Sequence, residues 1–283
     1  MPDLHPVPTL DYLIVGHVAQ DVSPVGVRLG GTAAYAGLTA RALGLRVGLL
    51  TSTAPETDLR PLAALEIHNL PAAATTTFEN RYPRQGRQQW IHARARPLRL
   101  QDRPAAWAAP GILHLAPIAG EIDPGCLAES GDSWVGVTPQ GWMRTWDETG
   151  RIQRAAWAPT ESSLADAGAV VVSLEDLDGD EAAAEELAHT CRLLVVTDGP
   201  HGARVYWNRD QRRILAPRVH EVDPTGAGDI FAAAFFIRLR QTRDPWESAR
   251  FANSLASASV TRSGIDSVPT PAEVEAAGLQ VIS

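Results

Sequence analysis

The 283 residues are expected to fold as one doubly wound α/β domain, residues 1–283, with a mostly parallel sheet flanked by helices and a small β-hairpin set apart from it. Two observations predict this. Short, wholly apolar runs recur along the chain with helical sequence between many of them, the pattern of strands buried on both faces. A glycine-rich turn, Val222-Asp223-Pro224-Thr225-Gly226-Ala227-Gly228-Asp229, runs directly into the apolar stretch Ile230 to Phe236, which reads as a buried helix. At 45% hydrophobic content the chain can bury a full core without a second domain.

Tyr12 to Gly16 is a short apolar run closed by glycine and reads as the first buried strand. Thr32 to Leu43 reads as a small-residue helix and Arg46 to Thr51 as the next strand, which together make a right-handed parallel crossover. Ile112 to Leu115, Trp134 to Val137, Ala169 to Ser173 and Leu193 to Thr197 repeat the strand signal. Residues 75–93 break the rhythm. Threonines and aromatics alternate on either side of Pro83 to Gly86, as in a hairpin exposed on at least one face, either a separate flap or an edge of the main sheet. Asp21 to Gly30 reads as a brief connection, and Arg96 to Gly111 as a surface loop or short helix.

Net charge is −8 and no basic block occurs, so nothing in the composition suits a nucleic acid backbone or an anionic membrane surface; small molecules are the expected partners. All 25 basic residues are arginine, which excludes a P-loop lysine and lysine Schiff-base chemistry. Cys126 and Cys191 lack the spacing of a zinc site or a redox pair and read as ordinary buried thiols. Met1 to Pro6 carries no basic and apolar leader, and no apolar run is long enough for a bilayer, so a cytoplasmic location is expected.

The glycine turn suggests anion handling. Gly226 and Gly228 open backbone torsions that let successive N–H groups converge on one anion, and the following helix adds free N–H donors. Asp229 falls in the first helical turn, where a carboxylate also has the ordinary role of capping the helix.

Asp223 to Asp229 with its helix resembles the C-terminal signature of the ribokinase-like (PfkB) carbohydrate kinases. Gly30-Gly31-Thr32 through Leu43-Gly44 is similar to that family's N-terminal signature. Ser173-Leu174-Glu175-Asp176, Val195 to Ala203, Phe251-Ala252-Asn253-Ser254 and Thr261-Arg262-Ser263-Gly264 follow in the family's order. The resemblance implies a kinase that moves the γ-phosphoryl group of ATP to a hydroxyl. Asp229 is then the general base and the N–H groups of Gly226, Ala227 and Gly228 the anion hole. Asp21, Gly30, Gly31, Tyr35 and Gln140 fall on the acceptor side; Thr197, Gly199, Gly202 and Asn253 on the nucleotide side. Ser173 and Asp176 stand where the family has an Asn-x-x-Glu motif that organises Mg²⁺ through water, with Glu175 as the alternative carboxylate. Asp223, with backbone oxygens near Ser259, Arg262, Gly264 and Ser267, matches a site where some relatives hold a monovalent cation such as K⁺. The 75–93 hairpin corresponds to the lid over the sugar site, and a monomer or homodimer is expected.

Ribokinase itself carries a lysine and an asparagine where this chain has Thr32 and Tyr35, which argues against ribose. Gly136 to Gly141 followed by Arg144-Thr145-Trp146-Asp147 resembles the myo-inositol kinase branch, so a polyol or sugar acceptor is favoured. Two alternatives stay open: a nucleoside kinase, with Tyr35, Phe78 and Trp90 available to stack on a base, and a catalytically silent ligand-binding regulator. A nicotinamide oxidoreductase is disfavoured because no Gly-x-Gly-x-x-Gly follows a strand.

Overall fold

A computed structural model describes residues 10–24, 26–81 and 88–280. The hairpin turn read at Pro83 to Gly86 and the leader reading of Met1 to Pro6 lie outside these residues. The chain begins with β1 (Tyr12–Val15), β2 (Ala19–Ser23) and β3 (Gly26–Gly30), then α1 (Thr32–Ala42), β4 (Val47–Thr53), β5 (Glu66–Pro71), β6 (Thr76–Arg81) and β7 (Gln88–Ala93). The middle of the chain carries β8 (Ile112–Leu115), β9 (Trp134–Val137), a small hairpin of β10 (Arg144–Trp146) and β11 (Ile152–Arg154), and β12 (Ala167–Ser173). Next come α2 (Glu181–Thr190), β13 (Leu193–Thr197), β14 (Ala203–Trp207) and β15 (Asp210–Ile214). Three helices close the described chain: α3 (Ala227–Thr242), α4 (Pro245–Ser259) and α5 (Pro271–Gln280).

Nine strands form the main sheet in the order β15-β14-β13-β12-β9-β8-β1-β4-β5. The pairings from β13 to β5 are parallel, and β14 and β15 add an antiparallel edge. The apolar runs become these central strands because each side chain finds a packed layer on whichever face it meets: β1, β4 and β8 are buried at every position. On one face lies α3, whose Phe231, Phe235 and Phe236 are at most 2% exposed. Phe236 packs flat enough on β9 that a Cβ at Gly136 would come within 2.6 Å of its ring, so only glycine fits there.

The hairpin at 75–93 is present as β6 and β7, and it belongs to a sheet separate from the main one. This small sheet, called the lid below after the role expected of it, is larger than a single hairpin. Asp21 to Gly30, read as a brief connection, lies within a second hairpin, β2–β3, and the two join through a parallel seam between β2 and β6 into a four-stranded sheet, β3-β2-β6-β7. Between residues 96 and 111 the chain makes two single turns of 3₁₀ helix. Among the described residues no helix is long and apolar enough to cross a membrane. Burial pushes the Cys126 and Cys191 thiols up to about 12, in keeping with inert structural cysteines.

Candidate active site

A cavity of about 360 Å³ opens where the lid overhangs the C-terminal ends of the parallel strands, the crevice in which doubly wound sheets bind ligands. Asp21, Phe78, Asn80 and Gln89 enter from the lid; Gly31, Thr32 and Tyr35 from the start of α1; Ser173, Glu175, Asp176 and Thr197 from the ends of β12 and β13. Thr225, Gly226, Gly228 and Asp229 come from the glycine turn and α3, and Gln140 and Arg144 from the segment after β9. One crevice therefore gathers most of the residues singled out in the sequence.

Gly226 caps α3 with φ 81°, a torsion that disfavours any side chain, and Tyr35 packs where its Cβ would stand. The turn delivers Asp229 to the floor of the cavity. Protein surrounds its carboxyl group, although the cavity mouth leaves it some exposure. Burial is the main reason its pKa rises to about 6; nearby Asp176 and Asp21 push the same way, while a hydrogen bond from Thr32 and the charge of Arg144 oppose them. An aspartate so poised can take a proton near neutral pH. Burial, and then the charges of Asp21, Asp229 and Asp223, drive the Tyr35 hydroxyl well above its ordinary value, so it stays a neutral hydrogen-bonding wall.

Of the three N–H groups expected to form an anion hole, that of Ala227 is already engaged. Ala227 donates its N–H back to Pro224 O at 3.2 Å, closing the turn, so Gly226 and Gly228 are the members that line the cavity. Gly30 does not line it either; its missing side chain makes room for the Asp21 carboxylate. Gly31 does, and its φ of 87° at the cap of α1 turns the chain beneath His17.

Ser173 and Asp176 form a closed pair: the Ser173 hydroxyl donates to Asp176 Oδ2 at 2.6 Å and accepts from Asp176 N at 2.9 Å. Gln140, expected at the acceptor, donates instead to Asp176 Oδ1 at 3.1 Å and joins the carboxylate side. Together with Glu175 these are neutral and anionic oxygens at one rim of the cavity, a donor set suited to a hard divalent cation held through water. Asp223 accepts from Thr225 N at 3.0 Å and stabilises the turn.

Three nucleotide-side expectations fall outside the cavity. Gly199 and Gly202 shape the turn that leads into β14 and do not line it, and Asn253 is buried in α4, donating to Ile214 O at 2.9 Å. The amide of Asn253 is thus used to tie α4 to the sheet edge. Thr197 alone of that group lines the cavity. Of the aromatics that could stack on a base, Tyr35 and Phe78 line it, whereas Trp90 does not and lies under Arg81 with 4.3 Å to the ring centroid. Arg144, given no role by the sequence, also lines the cavity. Its signal was an arginine just after a Gln-Gly turn in a chain without lysine; it lies 5.8 Å over the Phe78 ring and is the positive charge facing Asp229.

The order of strands and the helices on both faces give a ribokinase-like fold. The profile described as "pfkB family carbohydrate kinase" matches residues 163–272, the C-terminal part of the chain. Inositol 3-kinase of Zea mays is 26% identical over 289 residues, covering 91% of this chain and 74% of that protein. Probable fructokinase-5 of Arabidopsis thaliana is 32% identical over 108 residues, 35% of this chain and 33% of the relative, so the match spans about a third of that protein's length. Among solved structures, a pyrophosphate-dependent kinase of the ribokinase family complexed with a pyrophosphate analogue and myo-inositol superposes with a TM-score of 0.79 at 19% identity, covering 94% of this chain and 99% of that one. Arabidopsis thaliana ribokinase complexed with ribose and ATP gives 0.71 at 15%, with 95% and 98% covered. At these identities the structural likeness is one of fold.

Proposed function

We propose that this protein is a phosphotransferase acting on a hydroxyl of a small polyol or sugar, with a myo-inositol-like ring as the favoured acceptor and ATP as donor. The observation that carries the reading is Asp229: a carboxyl group with its pKa raised to about 6, at the N-terminus of a helix, sharing one cavity with polar lid residues and an acidic rim. In the reaction the acceptor oxygen attacks the terminal phosphorus, its proton passes to Asp229, and the bond between that phosphorus and the bridging oxygen breaks to release ADP. The N–H groups of Gly226 and Gly228 hold the transferred group as charge spreads over its oxygens, and Arg144 balances the carboxylates around it. A divalent cation, when bound, neutralises phosphate charge; Ser173, Glu175, Asp176 and Gln140 are the residues that would hold it. Asp21, Asn80 and Gln89 orient the acceptor hydroxyls, and Phe78 and Tyr35 cover the ring.

Pyrophosphate is a second candidate donor, favoured by one observation: Gly199, Gly202 and Asn253 lie off the cavity wall, so an adenine would have to sit outside it. A solved neighbour named for pyrophosphate and myo-inositol supports the same reading. The deciding experiment crosses ATP and pyrophosphate with inositols, hexoses and nucleosides and follows phosphorylated product. Fastest turnover is expected with a six-membered polyol. Turnover confined to nucleosides would overturn the acceptor assignment, and tight ligand binding without any product would leave a binding protein.

A further inference from the structure

We propose that His17, Thr76 and Glu121 are positioning residues that hold the lid over the acceptor, acting from a buried knot where the chain passes between lid and main sheet. The kinetic part of this proposal rests on the phosphotransfer reading above.

The described chain crosses between the two sheets at four places: from β1 to β2, from β3 to α1 at Gly31, from β5 to β6, and out of β7 through Ala95 and Arg96. His17 lies in the first crossing and touches the other three. Its imidazole is wholly buried, with Nε2 at 2.8 Å from Arg96 O and Nδ1 at 2.7 Å from the Thr76 hydroxyl. A carbonyl only accepts, so the ring hydrogen belongs on Nε2, and Nδ1 takes the hydrogen of Thr76. The Thr76 oxygen in turn accepts from Ala95 N at 3.0 Å. Each group is used in one direction, and the carbonyl oxygen of His17 lies 2.9 Å from where a Gly31 side chain would begin.

Glu121 extends the knot to the cavity wall. It is 1% exposed, and its carboxylate accepts from His17 N at 2.9 Å, from Ile118 N at 3.0 Å and from Ala119 N at 2.7 Å. Ile118 lines the cavity, and its carbonyl accepts from Arg144 at 3.4 Å. A buried carboxylate that receives only backbone N–H groups has no neutral substitute of the same shape: a glutamine there would set an NH₂ against one or more donors. Loosening any of the three residues should therefore shift the lid and the Ile118–Arg144 wall against the sheet, while the glycine turn, anchored on α3, stays in place.

The test uses the full chain with Thr76→Val, Thr76→Ser and Glu121→Gln. Thr76→Val keeps the shape and removes the hydroxyl. It removes the bond to His17 and the one from Ala95 N, and should raise the acceptor KM by about tenfold or more, with the donor KM within about twofold. Amide hydrogen exchange of β2 and β6 should quicken while that of β1 and β4 is unchanged. Thr76→Ser should restore both readouts, and Glu121→Gln, if it folds, should follow Thr76→Val. A merely structural role predicts equal changes in both KM values and equal exchange in both sheets, and either result overturns the proposal. The exchange readout stands apart from chemistry: a wild-type protein that transfers no phosphoryl group defeats the proposed function, while lid exchange still decides the knot.

Discussion

The main sheet and the lid are built from strands of similar length but held by different forces. Every residue of β1, β4 and β8 is buried, and on the helix-facing side Tyr12, Ile14, Leu49 and Ile112 join an apolar cluster with α1 and α3, in which His114, edge-on to Phe236, is the polar exception. In the lid, Gly26, Val27 and Arg28 of β3 are exposed, β7 is mostly half-buried, and Asp21, Asn80 and Gln89 present polar groups to the cavity. Hydroxyl contacts fasten the lid crossings to the sheet: Val18 N donates to Thr51 Oγ1 at 2.8 Å, and Ala54 N to Thr75 Oγ1 at 2.9 Å. Apolar burial is non-directional and cooperative, whereas a few hydrogen bonds leave a region on the low-stability side of the molecule. The proposed base therefore sits on the rigid part, and the proposed acceptor-binding residues on the part that yields.

The sharpest way to break this contrast is to cut both cores. Phe236→Ala, beneath the main sheet, should cost about 3–5 kcal/mol in denaturant unfolding, whereas Ile91→Ala in the lid should cost clearly less. Equal losses would mean that the two sheets share one core. Next in size, Asp229→Asn keeps the shape and removes the proton acceptor, so kcat should fall by roughly 10²-fold or more with both KM values little changed. The same reasoning gives wild-type kcat/KM an acid limb near pH 6, where Asp229 ionises. Wild-type turnover by the variant would remove the base from the rigid side. In the lid, Phe78→Ala should act the other way, raising the acceptor KM by about tenfold with kcat reduced less; a kcat effect as large as that of Asp229→Asn would erase the division of labour.

The smallest effect concerns stability. A folded-state pKa of about 6, above the ordinary 3.8, means that the folded chain disfavours ionised Asp229, a cost fully present above pH 6 and absent below pH 4. Asp229→Asn should thus raise the unfolding free energy at pH 7 by on the order of 1 kcal/mol, discounted because the cavity mouth admits solvent, with Tm rising accordingly, and the gain should fade as pH drops from 6 to 4. A pH-independent difference would assign it to packing instead.

The main sheet was legible in the sequence because full burial writes itself as apolar runs; Ile112–Leu115, Trp134–Val137 and Leu193–Thr197 lie where they were read. The β2–β3 hairpin was not, because Gln20, Asp21 and Arg28 interrupt its apolar positions, and a half-exposed ribbon needs no continuous signal. Ser23-Pro24 before Gly26 was the available turn mark. The glycine turn and Asp229 were readable because their backbone demands specific residues. Asn253 and Gln140 were placed by likeness of position, but a side chain's partner is chosen by tertiary packing: Ile214 O claims the one and Asp176 the other.

The parallel seam between β2 and β6 has a kinetic consequence. It joins Ala19 to Thr76 across α1, β4 and β5, so neither lid hairpin can find the other until the intervening chain has been laid down. Pairings between such distant segments are slow to form, because loop closure must come before any contact rewards it. The lid should then be the last unit to assemble in refolding. For the same reason it cannot be transplanted between relatives as one continuous insert, since half of it would arrive without its seam.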